Sequence, residues 1–237
     1  APNAQEALTA VDQAIALYAD ASGKENLEAL YRLQLARAKL LIQTGQKDAA
    51  VRVLQKLLVR QHENLEAIVT LASIYADREE WLALEDLIEP IAQSPALQDV
   101  ALYLEGRVAL ARDRVGTARA KFEAALQLNA DRPTALKNAL EFYRSICFQR
   151  LGREEQATRS LRKAIDGGYV PETTAETLYL GRLMMRTDEI KKLIPVLEKA
   201  LLRGEPNAEA WAILGRAHLR QQQNALAISA LNQSLLL

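Results

Sequence analysis

The chain has 237 residues, 49% of them hydrophobic and 25% charged, and its 30 Lys and Arg balance 30 Asp and Glu. A neutral chain has no global field to draw it onto nucleic acid or an anionic membrane, so any electrostatic preference must come from how the charges are arranged. The single cysteine, Cys147, excludes an internal disulfide and suits the cytosol without excluding the periplasm, which leaves localisation open.

No apolar run approaches the ~18 residues of a membrane span, which argues against membrane insertion. The chain begins at Ala1 rather than Met, as expected of a processed protein or a piece of a longer one. Ala, Leu, Glu, Arg and Gln dominate, and there are only 7 Pro and 10 Gly. These are strong helix formers. β-Branched residues never alternate with period two, so the expected fold is all-α without strands.

In chain order, residues 1–30 carry Ala7, Val11, Ala14, Ile15 and Tyr18 at helical spacing. This predicts one amphipathic helix and a linker, covering the N-terminal face of the remaining chain. From residue 31 a pattern repeats. Ala38, Leu41, Gly45, Ala50 and Leu54 are echoed by Ala72, Tyr75, Leu84 and Ile88, and then by Leu104, Gly106, Ala118 and Phe122. The fourth copy has Ser145, Gly152, Ala157 and Leu161; the fifth has Leu180, Gly181, Leu193 and Leu197; the sixth has Leu214, Gly215, Ala227 and Leu231. Six copies therefore start near 31, 65, 99, 138, 174 and 208, with most steps at or near 34 residues. Such spacing with small insertions predicts a stacked array over 31–237.

Punctuation agrees with the repeat. Pro95, Pro133, Pro171 and Pro206 fall at junctions, and Gly167-Gly168 follows a helical run as a C-terminal stop would. Asp131 with Pro133 predicts an N-cap and a long helix over 133–150. Pro90 and Pro195 fall inside helices, where each costs ~3 kcal/mol and is expected to kink the chain. At the far end Ile228, Leu231 and Leu235 to Leu237 form an apolar stripe with no polar helix after it. The expectation is that the chain continues, or that this end meets a partner or another copy.

These repeats resemble the tetratricopeptide family over about residues 31–237. The eighth position is always small (Ala38, Ala72, Gly106, Ser145, Gly181, Gly215), as required where two helices of one repeat approach closely. The twenty-fourth carries a larger knob (Leu54, Ile88, Phe122, Leu161, Leu197, Leu231). Departures occur at the seventh position, usually apolar, where Arg37, Glu105 and Arg144 stand. The resemblance implies a right-handed α-solenoid, or superhelix, of about six helix-turn-helix repeats after the N-terminal helix, with the first helices lining a concave groove.

Nothing in the sequence carries catalysis, a cofactor or a metal. His62 and His218 are isolated, and His218 occupies a position the family usually fills with an aromatic, so it is expected to be packed in the core. His62 is expected in a solvated junction. Cys147, beside Ile146 and Phe148, reads as a buried structural thiol. No glycine loop suited to phosphate is present.

Carried over from the family, the ligand-facing positions of the first helices are here Tyr103, Arg107, Phe142, Arg150, Leu178, Arg182, Arg186, Arg216 and Arg220. Positions four residues apart share a helix face, so the groove is expected to present apolar anchors flanked by arginines. Arginine forks suit carboxylates. The resemblance therefore implies a non-catalytic scaffold or adaptor for a partner protein or peptide, acidic and with apolar anchors. The fifth and ninth positions do not match the chaperone carboxylate clamp, and the absence of a basic stripe argues against nucleic acid. The alternative is a structural scaffold within a larger assembly, such as periplasmic secretion or exopolysaccharide export, self-associating or continuing through its C-terminal helix.

Overall fold

The structure, a computed structural model, describes residues 2–18, 23–129, 134–186, 190–203 and 207–237. All the regular structure described is helical, and it falls into two compact units, residues 1–104 and 105–237. The first contains α1 (Pro2–Leu17), α2 (Lys24–Gln43), α3 (Lys47–Arg60), α4 (Leu65–Asp77), α5 (Trp81–Ala92), a 3₁₀ turn at Pro95–Leu97 and the start of α6 (Gln98–Ala111). The second holds the rest of α6 with α7 (Val115–Leu128), α8 (Ala135–Arg150), α9 (Glu154–Asp166), α10 (Thr174–Met184), α11 (Ile190–Arg203), α12 (Ala208–Arg220) and α13 (Asn224–Leu236).

In the first unit α1 to α5 pack in succession, and in the second α7 packs on α8, α8 on α9, and α10 to α13 in succession; the recurring small and large residues are buried in this packing. Ala38, Ala72 and Ser145 are fully buried, as are Ala50, Leu84, Ala118, Ala157 and Ala227. Leu54, Phe122 and Leu197 close the same contacts with no exposure. The glycines of the eighth position mark the tightest approaches. A Cβ on Gly106 would meet the Phe122 ring at 2.4 Å, and one on Gly215 would meet Leu231 at 2.7 Å.

The charged residues at the seventh position are accommodated by pairing. Arg37 meets Asp12 of α1 at 2.6 Å. Glu105 meets Lys121 of α7. Arg144 donates to Glu141 at 2.6 Å and to the Ser160 hydroxyl of α9 at 3.2 Å. A partner on a neighbouring helix or one turn away replaces the apolar contact, which is what a half-buried charge requires.

The hairpin turns share one geometry. After α2, α4, α6, α8 and α12 the chain makes a backbone bond reaching back five residues: Gln46 to Leu41, Glu80 to Tyr75, Arg114 to Ala109, Arg153 to Phe148 and Gln223 to His218, at 2.8–2.9 Å. This six-to-one closure requires a left-handed residue just before it. Gly45 and Gly152 supply it freely, whereas Glu79 (φ 59°), Asp113 (φ 57°) and Gln222 (φ 58°) hold it against the steric cost of a side chain. Asp113 also pairs with Arg150 at 3.2 Å, but the exposed Glu79 and Gln222 side chains brace nothing of the kind. Glu79→Gly with Gln222→Gly is therefore expected to raise stability by about 1–2 kcal/mol in sum, the relieved strain less the glycine's added unfolded-state entropy. Calorimetry should show Tm up by ~2–8 °C.

Helix starts are capped locally. Asn64, Thr134, Thr173 and Asn207 each accept a backbone N–H from three residues on, at 2.9–3.2 Å. Thr134 thus takes the capping role expected of Asp131, and α8 opens at Ala135. Asp131, Pro133 and Pro206 lie outside the described residues. Gly167 caps α9 and Gly168 turns left-handed at φ 91°, the expected stop. Pro90 and Pro195 do lie inside α5 and α11.

Candidate partner-binding surface

The second unit brings three of the expected arginines onto two neighbouring helices and a fourth, Arg186, into the turn that follows one of them. α10 and α12 pack together, closely enough that a Cβ on Gly181 would stand 2.9 Å from Ile213. Arg182 follows Gly181 on α10, Arg216 and Arg220 stand four apart on one face of α12, and Arg186 lies in the turn after α10. All four are exposed. Arg182 donates through Nε and Nη2 to Glu209 Oε1, at 3.2 and 2.9 Å. Arg220 Nη1 donates to the Met185 carbonyl at 2.6 Å and so pins the end of α10 to α12. Leu178, half-buried, lies one turn before Arg182 on α10.

The Arg182–Glu209 pair has a counterpart in the first unit. Lys39 meets Glu66 across the same interval of 27 residues. Part of Arg182's charge is thus spent as a strut between successive first helices. Its sequence signal was an acid at the second position of the next repeat.

Other expected groove residues sit elsewhere. Phe142 is fully buried. It stacks on Tyr169 at 4.5 Å and stands edge-on to Tyr143 and Tyr179 at 5.6 and 5.5 Å, so it offers no surface to a partner. Arg107 is also buried, its guanidinium 4.9 Å above the Tyr143 ring. The Tyr143 hydroxyl donates to Glu176, whose other oxygen accepts the Glu172 and Thr173 amides at 2.8 and 3.3 Å. Sequence reasoning missed this aromatic cluster. Its trace was the grouping of all three phenylalanines between 122 and 148. Arg150 holds the preceding turn, donating to the Leu110 carbonyl at 3.3 Å and to Asp113 at 3.2 Å. Tyr103, half-buried, belongs to the first unit.

Burial and hydrogen bonding occupy His218, Cys147 and Tyr179. His218 is 3% exposed, with Nδ1 2.8 Å from Gln223 Oε1 and Nε2 3.5 Å from Glu198. His62 is solvated. Burial pushes the Cys147 thiol up to about 12, an effect Arg150 and Arg119 only partly offset. Tyr179 is raised for the same reason, although the Ser145 hydroxyl at 3.1 Å opposes the shift. Among the described residues no group of three His, Cys, Asp or Glu could hold a metal ion, and no helix is long and apolar enough to cross a membrane.

No protein-family model matches the chain, and no curated protein is similar to it in sequence. Solved structures are similar in fold. A chain of the APC/C hetero-tetramer Cut9–Hcn1 aligns over 95% of this chain at TM-score 0.59 and 17% identity; this chain spans only 41% of that one. A tetratricopeptide repeat protein from Parabacteroides merdae aligns over 97% of this chain and 92% of its own, at TM-score 0.56 and 15% identity. The thermophilic TPR protein TTC0263 of Thermus thermophilus aligns over 80% of this chain and 99% of its own, at TM-score 0.58 and 17% identity. With helix pairs closed on recurring small residues, and with these neighbours, the chain has the tetratricopeptide-repeat fold.

Proposed function

We propose that the chain is a non-catalytic interaction scaffold that holds an acidic segment of a partner protein against α10 and α12. The observation carrying this reading is the set of exposed arginines Arg182, Arg216 and Arg220 on two packed helices, with Arg186 in the turn just after α10 and Glu209 as the carboxylate paired to them among the described residues. Like charges four residues apart weaken a helix, so Arg216 and Arg220 on α12, beside the exposed Arg182 of α10, favour an anionic ligand. Arginine presents a planar fork to carboxylates and sheds water more readily than lysine. Leu178 supplies an apolar edge beside the charges.

Arg186→Glu with Arg216→Glu tests the reading, because neither side chain carries a structural hydrogen bond among the described residues. Affinity purification with the chain as bait, quantified against the unaltered chain, is expected to lose the acidic partner by at least about tenfold at unchanged Tm. Equal recovery by both baits overturns the proposal.

A second reading, a structural element of a larger assembly, is favoured by α13. Leu226, Ile228, Leu235 and Leu236 of that helix are 51–84% exposed, and the helix carries no charged residue. A concentration-dependent dimer in sedimentation, lost on Ile228→Glu, would favour this reading over the first.

A further inference from the structure

The first unit contains a cleft between α1 and α3, floored by α2. One end, of about 460 Å³, is lined by Ile15, Leu30, Gln34, Lys56, Val59 and Arg60. On the other side of Lys56, between α2 and α3, lies a second hollow of about 220 Å³ bounded by Val53 and Arg52, over Leu41 and Arg37. The α1 wall, Ile15 with Ala16, is apolar, the floor mixes Leu30 and Leu41 with Gln34 and Arg37, and Val59 at the mouth is 85% exposed. Leu17, two residues beyond Ile15 at the end of α1, is equally exposed.

Arg52, Lys56 and Arg60 form a stripe along this cleft. They are spaced four apart on α3, so they share a face, and all three are exposed. None makes an ion pair among the described residues. Asp48 pairs with Arg78 at 2.7 Å and Asp12 with Arg37 at 2.6 Å. A row of like charges at i, i+4 and i+8 weakens the helix that carries it. The helix dipole rewards Arg60 in the last turn and does nothing for Arg52 near the middle. No ion pair among the described residues of the unit accounts for the stripe.

We infer that this cleft docks an acidic amphipathic helix of a partner protein. Its apolar anchors would rest on Ile15, Leu30 and Val59, and its carboxylates, one per turn, would face Arg52, Lys56 and Arg60. The run from Ala49 to Arg60 is about 16 Å long, three turns of such a helix. Charge complementarity selects the ligand: a groove with an apolar wall, edged by cations that make no ion pair among the described residues, favours carboxylates and rejects a basic helix. The site is separate from the arginine surface of α10 and α12 and does not depend on it.

The test uses the full chain and two synthetic helices of about five turns, each with leucine on one face. One carries glutamate along its flanks and the other lysine. By fluorescence anisotropy the glutamate helix is expected to bind and the lysine helix not, with affinity falling as salt rises. Lys56→Glu should weaken binding by at least about tenfold. It should also hold or raise Tm, because a glutamate there lies four residues from both arginines and relieves their repulsion. Arg186→Glu with Arg216→Glu should leave this binding unchanged, which separates failure here from failure of the α10–α12 reading. The inference is overturned if the glutamate helix fails to bind, if both helices bind alike, or if Lys56→Glu leaves the affinity unchanged. It is equally overturned if phosphatidylglycerol vesicles, but not the glutamate helix, lose binding in that variant.

Discussion

Phe122→Ala is expected to lower stability by about 3–5 kcal/mol, the range for removing a fully enclosed aromatic ring. Phe122 has no exposure and fills the space that Gly106 leaves at the crossing of α6 and α7. The two positions are matched in volume, because a Cβ on Gly106 would sit 2.4 Å from the Phe122 ring. Gly106→Ala alone should therefore destabilise through overpacking, by about 1–3 kcal/mol. Combining Gly106→Ala with Phe122→Leu reproduces the Ala38 and Leu54 pairing of the first repeat, where both side chains are fully buried. The double variant should be more stable than the sum of its single changes predicts, with a coupling of about 0.5–3 kcal/mol in a denaturant cycle. Strict additivity would show that Gly106 and Phe122 do not share one packing site.

Cys147 is expected to resist alkylation in the folded chain. Burial, its largest influence, moves the thiol from 9.0 to about 12, so the reactive thiolate is roughly a thousandfold scarcer near pH 8 than for an ordinary cysteine. Iodoacetamide labelling followed by mass spectrometry should be negligible under native conditions and complete in guanidinium. Rapid native labelling would contradict the burial. The same shift bears on stability against alkali. Between pH 9 and about 12 the folded chain keeps a proton that the unfolded chain has released. The stabilisation this gives is whole below pH 9 and disappears as pH rises through that window. Cys147→Ala should thus flatten the alkaline limb of the pH–stability curve.

The fold was legible because its determinants are local in the repeat. Ala38, Ala72, Gly106, Ser145, Gly181 and Gly215 recur in phase and are all buried, since close helix crossings admit no larger side chain. The turns were half legible. Gly45 and Gly152 announce a left-handed residue, whereas Glu79, Asp113 and Gln222 adopt the same conformation without a glycine to mark it. There the six-to-one bond and the packed helices on either side override the residue's own preference.

The surface was less legible, because helical spacing names a face without saying what lies against it. Arg182, Arg186, Arg216 and Arg220 are all exposed, but Phe142, expected on the same face, is sealed by Tyr169, which arrives from the loop after α9. Arg107 and Arg150 carry the same charge as their neighbours and are drawn to an aromatic ring and to a turn carbonyl instead.

By itself, then, the amino-acid order determined an all-helical repeat array and the residues at its helix crossings, since side-chain volume at fixed spacing dictates how near two backbones come. The tertiary structure alone decided which cations face water and which brace the chain, and it alone opened the cleft between α1 and α3. Both depend on contacts between residues far apart in the chain, where no periodicity records the neighbour.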